Sequence, residues 1–175
     1  YDQFGPINIM SINLTALKRY DEEFQSFVDK FNYTTADGKG LVIFSRFLGE
    51  KILNHLSIPR ICDKYIDEFV IKQKKIFLLG AMKEVNDKAI INLNKKYPTI
   101  QIDGHHGYFK IENMDHVIEA IIKFQPELVL VGMSSPLKEQ VILKISKHYN
   151  QSINIACGGY IDILGNKVKQ APNYM

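Results

Sequence analysis

Short unbroken apolar runs alternate with amphipathic stretches along this chain, and the alternation is most regular after residue 75. KKIFLLG reads as a strand closed by Gly80. Val85, Ala89, Leu93 and Tyr97 then recur at helical spacing, and Pro98 ends that helix. TIQIDG is a second strand, followed by a helix through Val117, Ile118, Ile121 and Ile122 that ends at Pro126. ELVLVGM is a third strand, residues 136–149 form a helix with proline in its first turn, and INIACGG is a fourth strand. Nearer the start, residues 7–12 read as a buried strand with Ser11 and Asn13 at its end. Leu17, Tyr20, Phe24, Phe27 and Phe31 mark one face of a helix ending near Asn32. TTADGKG reads as a break. Residues 41–56 read as a buried helix entered from that glycine-rich turn, with Pro59 ending the unit.

Continuous Val/Ile/Leu runs separated by helices imply strands covered on both faces, which is the signature of a parallel sheet. The expected fold is therefore α/β, a Rossmann-like, mostly parallel sheet with helices on both faces. At 175 residues it makes one domain. Within it, an N-terminal lobe (1–70) is expected to pack on a nucleotide-binding lobe (71–175).

Composition narrows the classes. With 46% hydrophobic and 23% charged residues the chain can bury a real core. A net charge of +3 without an arginine-rich run gives no reason to expect nucleic acid. Cys62 and Cys157 lie in apolar contexts and read as reduced core thiols. The N-terminal residues lack the charged and apolar regions of a signal peptide, and the longest apolar runs are strand-sized. A cytoplasmic protein is expected.

Three predicted strands end in glycine: Gly80, Gly132 and Gly158. In open α/β sheets ligands lie beyond the carboxyl ends of the strands, where helix N-termini offer free N–H groups to anions. Glycine there permits close approach to the backbone. A nucleotide-type ligand fits this layout. No G-x-G-x-x-G follows a strand and no Walker A sequence occurs, which argues against NAD and ATP.

Four constellations could carry chemistry. Asp37-Gly38 is a favoured turn dipeptide, and a carboxylate at such a loop-to-helix junction can equally serve as a general base. In GHHGYF, Gly104 and Gly107 flank two histidines and precede Tyr108, which is free to stack or hydrogen-bond. Adjacent histidines are expected to diverge, and no third ligand stands at a metal-binding spacing. In SSPLKE, Ser134 or Ser135 suits an N-cap before Pro136, and Glu139 suits the helix dipole. Lys138 opposes that dipole and is better explained by an anionic ligand. In CGGYIDILGN, Gly158 and Gly159 precede Asp162, which could bind a ribose hydroxyl or simply favour a helix N-terminus.

Taken in order, these pieces resemble the WecG/TagA/CpsF family of glycosyltransferases. The resemblance runs from about residue 8 to residue 174. It rests on the strand with Asn13, ADGKGLV, IFLLG, KKYP followed by the GHHGYF stretch, PELVLVGMSSP with Lys138-Glu139, and GGYIDILGNKVKQAP. It implies inverting transfer of a sugar of the N-acetylmannosamine type, or a related hexose, from a UDP donor. The implied acceptor is a polyprenyl-diphosphate-linked sugar at the inner face of the bacterial membrane, in surface polysaccharide synthesis. It makes Asp37 the base, places Asn13 in the active site, and associates Tyr108 and Asp162 with the nucleotide. It also implies no cofactor and no metal, in keeping with the lack of a D-x-D sequence. Helix N-termini and basic side chains such as Lys138 would then stabilise the departing UDP.

The expected substrate-binding set is Ser11, Asn13, Gly38, Gly80, Gly104, Gly107, Tyr108, Gly132, Ser135, Pro136, Lys138, Glu139, Gly158, Gly159 and Asp162. Three departures from the family pattern stand out. Lys138 replaces a usual glutamine, Gln170 a usual arginine, and Asp63 the glycine of R-x-x-G. The resemblance also implies a basic and aromatic C-terminal tail that closes the site and contacts the membrane. The sequence stops at Met175 without it, so poor turnover and self-association through an uncovered apolar surface are expected. The alternative function is a catalytically idle nucleotide-sugar-binding module of a polysaccharide assembly complex.

Overall fold

The structure is a computed structural model that describes residues 5–13, 21–47, 49 and 56–169. Six strands form one all-parallel sheet: β1 (Ile7–Ile12), β2 (Tyr33–Ala36), β3 (Lys75–Gly80), β4 (Gln101–His105), β5 (Leu128–Gly132) and β6 (Ile153–Ala156), in the order β2-β1-β6-β5-β3-β4. The helices among the described residues are α1 (Glu22–Lys30), α2 (Lys39–Phe47), α3 (Ile58–Ile71), α4 (Lys83–Lys96), α5 (Met114–Phe124), α6 (Leu137–His148) and α7 (Tyr160–Leu164). The sheet unites strands from both sides of residue 70.

Alternation along the central strands sorts the core into two layers. Ile76, Leu78, Leu128, Leu130, Ile153 and Ile155 face one side, where α3, α4 and α7 cover them. Phe77, Leu79, Val129, Val131, Met10 and Ala156 face the other, against α1, α5 and α6. Strands covered on both sides read as nearly continuous apolar runs, which is why β3, β5 and, apart from Asn154, β6 were legible in the sequence.

On the α6 face of the sheet, at the β1–β6 seam, lies a polar cluster. Asn8 and Asn154 are register partners, and Asn154 Nδ2 donates to Asn8 Oδ1 at 2.9 Å. Ser146 Oγ donates to the same oxygen at 2.7 Å, and Ser152 Oγ to Asn154 Oδ1 at 2.9 Å. Both asparagines are buried, so a register slip would strand their amides without partners.

Several expectations are corrected. The stretch read as a break contains β2, a four-residue edge strand whose first two residues are exposed, too short and half-wet to show an apolar run. Pro59 does not end a unit; it occupies the first turn of α3, where its missing N–H has no helical role. The helix expected over 41–56 is seen as α2; Ile43 and Phe47 are exposed on it, and residues 48 and 50–55 lie outside the described residues. The expected first helix begins at Glu22, with the Asp21 carboxylate capping Phe24 N–H at 2.8 Å; Leu17 and Tyr20 lie outside the described residues.

Candidate functional site

The chain's connections open a crevice at the carboxyl ends of β1 and β6. The next described helix after β1, α1, packs on one face of the sheet, whereas α7, which follows β6, packs on the other. Loops leaving neighbouring strands toward opposite faces create a cleft between them. A cavity of about 510 Å³ lies there, of small-ligand size. Its wall includes Ser11, Asn13, Asp37, Ser135, Lys138 and Asp162, with Gly158 and Gly159 between them.

Asp37 owes its place to the sheet. β1 and β2 pair with Ile12 opposite Ala36, so Asn13 and Asp37 are the next residues of two adjacent parallel strands. The Asp37 N–H donates to Ile12 O at 2.9 Å, carrying the ladder one step past β2. Neighbouring strands lie about 4.8 Å apart, which sets Asn13 beside Asp37. Gly38 follows with φ +98°, a left-handed conformation that turns the chain from strand into α2 within one residue. Asp37 is half-buried, the setting a general base needs.

Across the cleft, the Ser135–Pro136 bond is cis, and Pro136 rather than a serine stands at the N-cap position of α6. The serine cap expected from the sequence is therefore not made. Ser135 Oγ instead donates to Glu139 Oε1 at 2.8 Å. The Lys138 ammonium hydrogen-bonds Ser135 Oγ and lies 3.1 Å from Glu139 Oε1. Among the described residues, Lys138 is the one basic side chain that lines the cavity. Glu139 is fully buried beneath it and does not reach the cavity.

The third wall is the turn from β6 into α7. Gly158 has φ +54°, and beyond both Gly158 and Gly159 there is open space where a Cβ would stand. Asp162 lies one turn on, 3.3 Å from the Lys167 ammonium, and its backbone carbonyl accepts from the Lys167 and Val168 N–H groups. Tyr160 is buried and donates through its hydroxyl to Asp63 Oδ1 at 2.5 Å, fastening α7 to α3. Burial, then this carboxylate, raises the Tyr160 phenol well above its usual range. Cys157 lines the cavity and touches Cys62 behind it; burial foremost, with that contact, raises the Cys62 thiol.

Of the expected residues, Ser11, Asn13, Asp37, Ser135, Lys138, Gly158, Gly159 and Asp162 converge on this cavity. Gly38, Pro136 and Glu139 are chain neighbours of lining residues but do not line it themselves. Gly80, Gly104, Gly107 and Gly132 do not line it. Each packs against protein: a Cβ on Gly80 would meet Gly132 O at 2.3 Å, one on Gly132 would meet Gly158 O at 2.8 Å, and one on Gly104 would meet Asn86 Oδ1 at 2.5 Å. The close approach these glycines allow is of strand to strand and loop to strand. Tyr108 lies past β4, with 73% of its surface exposed, on a loop anchored by the Gly107 N–H to Ala81 O at 2.9 Å. His105 and His106 do not diverge as expected. Their rings sit 4.4 Å apart because the chain leaves β4 between them.

Sequence reasoning missed Ile58, Pro59, Tyr160 and Val168 in the cavity wall, and the partnership of Asp162 with Lys167. Asn86 was missed too. Its buried amide donates to Gly80 O at 2.9 Å and His105 O at 3.2 Å, clasping the ends of β3 and β4. Among the described residues no three His, Cys, Asp or Glu side chains form a metal-binding group. No helix among them is long and apolar enough to cross a membrane.

A model of the glycosyl transferase WecG/TagA/CpsF family matches residues 3–175. Curated relatives include the N-acetylglucosaminyldiphosphoundecaprenol N-acetyl-beta-D-mannosaminyltransferases of Staphylococcus aureus strains MRSA252 and NCTC 8325 / PS 47. Each is 28% identical to this chain over 151 residues. The similarity covers 86% of this chain and 59% of each relative, so the chain spans somewhat over half their length.

Proposed function

We propose that this chain, which belongs to the WecG/TagA/CpsF family of glycosyl transferases, moves an N-acetylmannosamine-type sugar from a UDP donor to a polyprenyl-diphosphate-linked sugar. The observation that carries this reading is the convergence of Asp37 and Asn13, on adjacent strand ends, with Ser135, Lys138, Gly158, Gly159 and Asp162 around one cavity. The sugar and the acceptor are those named for the relatives.

In this reading the donor lies across the carboxyl edge of the sheet. Its sugar is at Asp37 and Asn13, and its diphosphate is near Lys138 and the open backbone of Gly158 and Gly159. Asp162 is within reach of the ribose or base. The nucleoside end runs toward β3 and β4, where the exposed ring of Tyr108 offers a stacking face. Asp37 takes the proton from the acceptor hydroxyl as its oxygen attacks the anomeric carbon. The bond to the UDP oxygen breaks on the opposite side, so configuration inverts. The charge gathering on UDP is met by Lys138 and by N–H groups rather than by a cation held in D-x-D. Peripheral contact with the inner membrane face would follow from a lipid-linked acceptor.

A transfer assay with the full-length protein, a synthetic lipid-diphosphate acceptor and a panel of UDP-sugars in excess EDTA tests this. Product from UDP-N-acetylmannosamine or a close relative is expected. Binding of donor without any transfer would point instead to a nucleotide-sugar-binding module. Activity abolished by EDTA and restored by a divalent cation would overturn metal independence.

A further inference from the structure

We infer that Glu139 is a positioning residue, fixing one ammonium N–H of Lys138 in the cavity as the receptor for a single anionic oxygen of the donor diphosphate. The inference rests on the reading of the cavity as a UDP-sugar site.

The argument starts from a buried charge. Glu139 is entirely buried in the first turn of α6, and its Oε2 has no hydrogen-bond partner among the described residues. A carboxylate there is tolerable only if its other oxygen is well served. Oε1 receives the Ser135 hydroxyl at 2.8 Å and lies 3.1 Å from Lys138 Nζ. Lys138 also donates to Ser135 Oγ, closing a three-membered cluster. A lysine in the first turn opposes the helix dipole, and the adjacent carboxylate offsets this.

Counting donors shows what the cluster leaves for a ligand. The single hydroxyl hydrogen of Ser135 is engaged by Glu139. Of the three ammonium hydrogens of Lys138, one goes to Ser135 and one to Glu139, leaving one among the described residues. The Lys138 side chain is 16% exposed, and both it and Ser135 line the cavity. A solvated lysine must surrender the freedom of a four-carbon stem to bind an anion. Here the buried carboxylate has already fixed that stem. The cavity receives one directed, positively charged donor, while Glu139 itself stays out of reach of any ligand.

The test is calorimetric titration of UDP into wild type, Lys138→Gln, Glu139→Gln and the double variant, with melting temperature measured for each. Both single variants should bind UDP about tenfold more weakly, the loss of one charge-assisted hydrogen bond. Lys138→Gln should also melt lower, because it leaves the carboxylate buried without its cation. The double variant should regain that melting temperature and still bind UDP weakly, a split that a purely structural role would not produce. Wild-type affinity in Glu139→Gln or in the double variant overturns the inference. If Glu139→Gln does not fold, Ser135→Ala serves: weaker UDP binding is expected together with a lower melting temperature, since the buried carboxylate loses one of its hydrogen bonds, and unchanged affinity overturns the inference.

Nitrogen-15 NMR of the Lys138 ammonium is independent of ligand. A slowly exchanging signal is expected in wild type and should vanish in Glu139→Gln, and equal signals would overturn the positioning role. Wild type that binds no UDP refutes the functional reading, while the ammonium signal still decides the geometry.

Discussion

Replacing Gly80 by alanine separates two roles a strand-end glycine can have. Gly80 ends β3 opposite Gly132 of β5, at φ +146°. A Cβ there would stand 2.3 Å from Gly132 O, 2.6 Å from its carbonyl carbon and 2.8 Å from its Cα, all backbone. Moving that carbonyl out to 3.0 Å, a distance below which real Cβ contacts essentially never fall, displaces it by 0.7 Å. The carbonyl accepts the Ala81 N–H and belongs to a central strand, so it cannot swing aside as a side chain would. Positive φ costs an alanine about 1–3 kcal/mol and forced overpacking about as much again, giving roughly 2–6 kcal/mol in all. For a domain of this size that lowers Tm by roughly 5–20 °C. Gly159→Ala is the control, since nothing lies within 4 Å of its Cβ direction and it lines the cavity. Its stability should stay within about 0.5 kcal/mol of wild type while UDP binding weakens. Thermal denaturation followed by circular dichroism measures the stability of both variants, and calorimetric titration of UDP measures the binding. A Gly80→Ala protein melting within about 2 °C of wild type would refute the packing argument.

Two further outcomes follow from the core. Asn154→Ala removes the amide that joins β6 to Asn8 and Ser146, leaving buried polar atoms unpaired; it should cost about 2–3 kcal/mol in urea denaturation, and a change below about 0.5 kcal/mol would contradict the register role. The Cys62 thiol, raised by burial and by its contact with Cys157, is protonated at neutral pH, so in Cys157→Ser it should resist iodoacetamide in the folded protein and react once unfolded; rapid alkylation of the native protein would contradict that burial.

The sequence disclosed those parts of the fold that are buried on both sides. β3 and β5 are continuous apolar runs because helices cover both faces, β6 is broken only by Asn154, and Val85, Ala89 and Leu93 mark the inner face of α4. β2 escaped notice because an edge strand of four residues, with Tyr33 and Thr34 exposed, shows no such run. Pro59 misled because proline stops a helix from within and starts one from its first turn, and the residue alone does not say which. In the site, residues just beyond strand ends were legible, since a parallel sheet gathers its strand ends on one edge. What the apolar pattern could not report was depth. Glu139 read as an acid suited to the helix dipole and counted among the substrate-binding residues, yet it is buried, and the asparagines of β1 and β6 read as nothing in particular. Nor could it separate glycines that face the cavity, such as Gly159, from those that face another strand, such as Gly80.

The central claim is that Asp37 is the base of a sugar transfer carried out in this cavity. Single-turnover transfer by full-length Asp37→Ala, measured beside UDP-sugar affinity by calorimetry, tests it most directly. The account predicts a rate lowered by about 10²–10⁴-fold with donor affinity nearly unchanged, because the carboxylate acts on the acceptor hydroxyl and not on UDP. Transfer at the wild-type rate in that variant would contradict it.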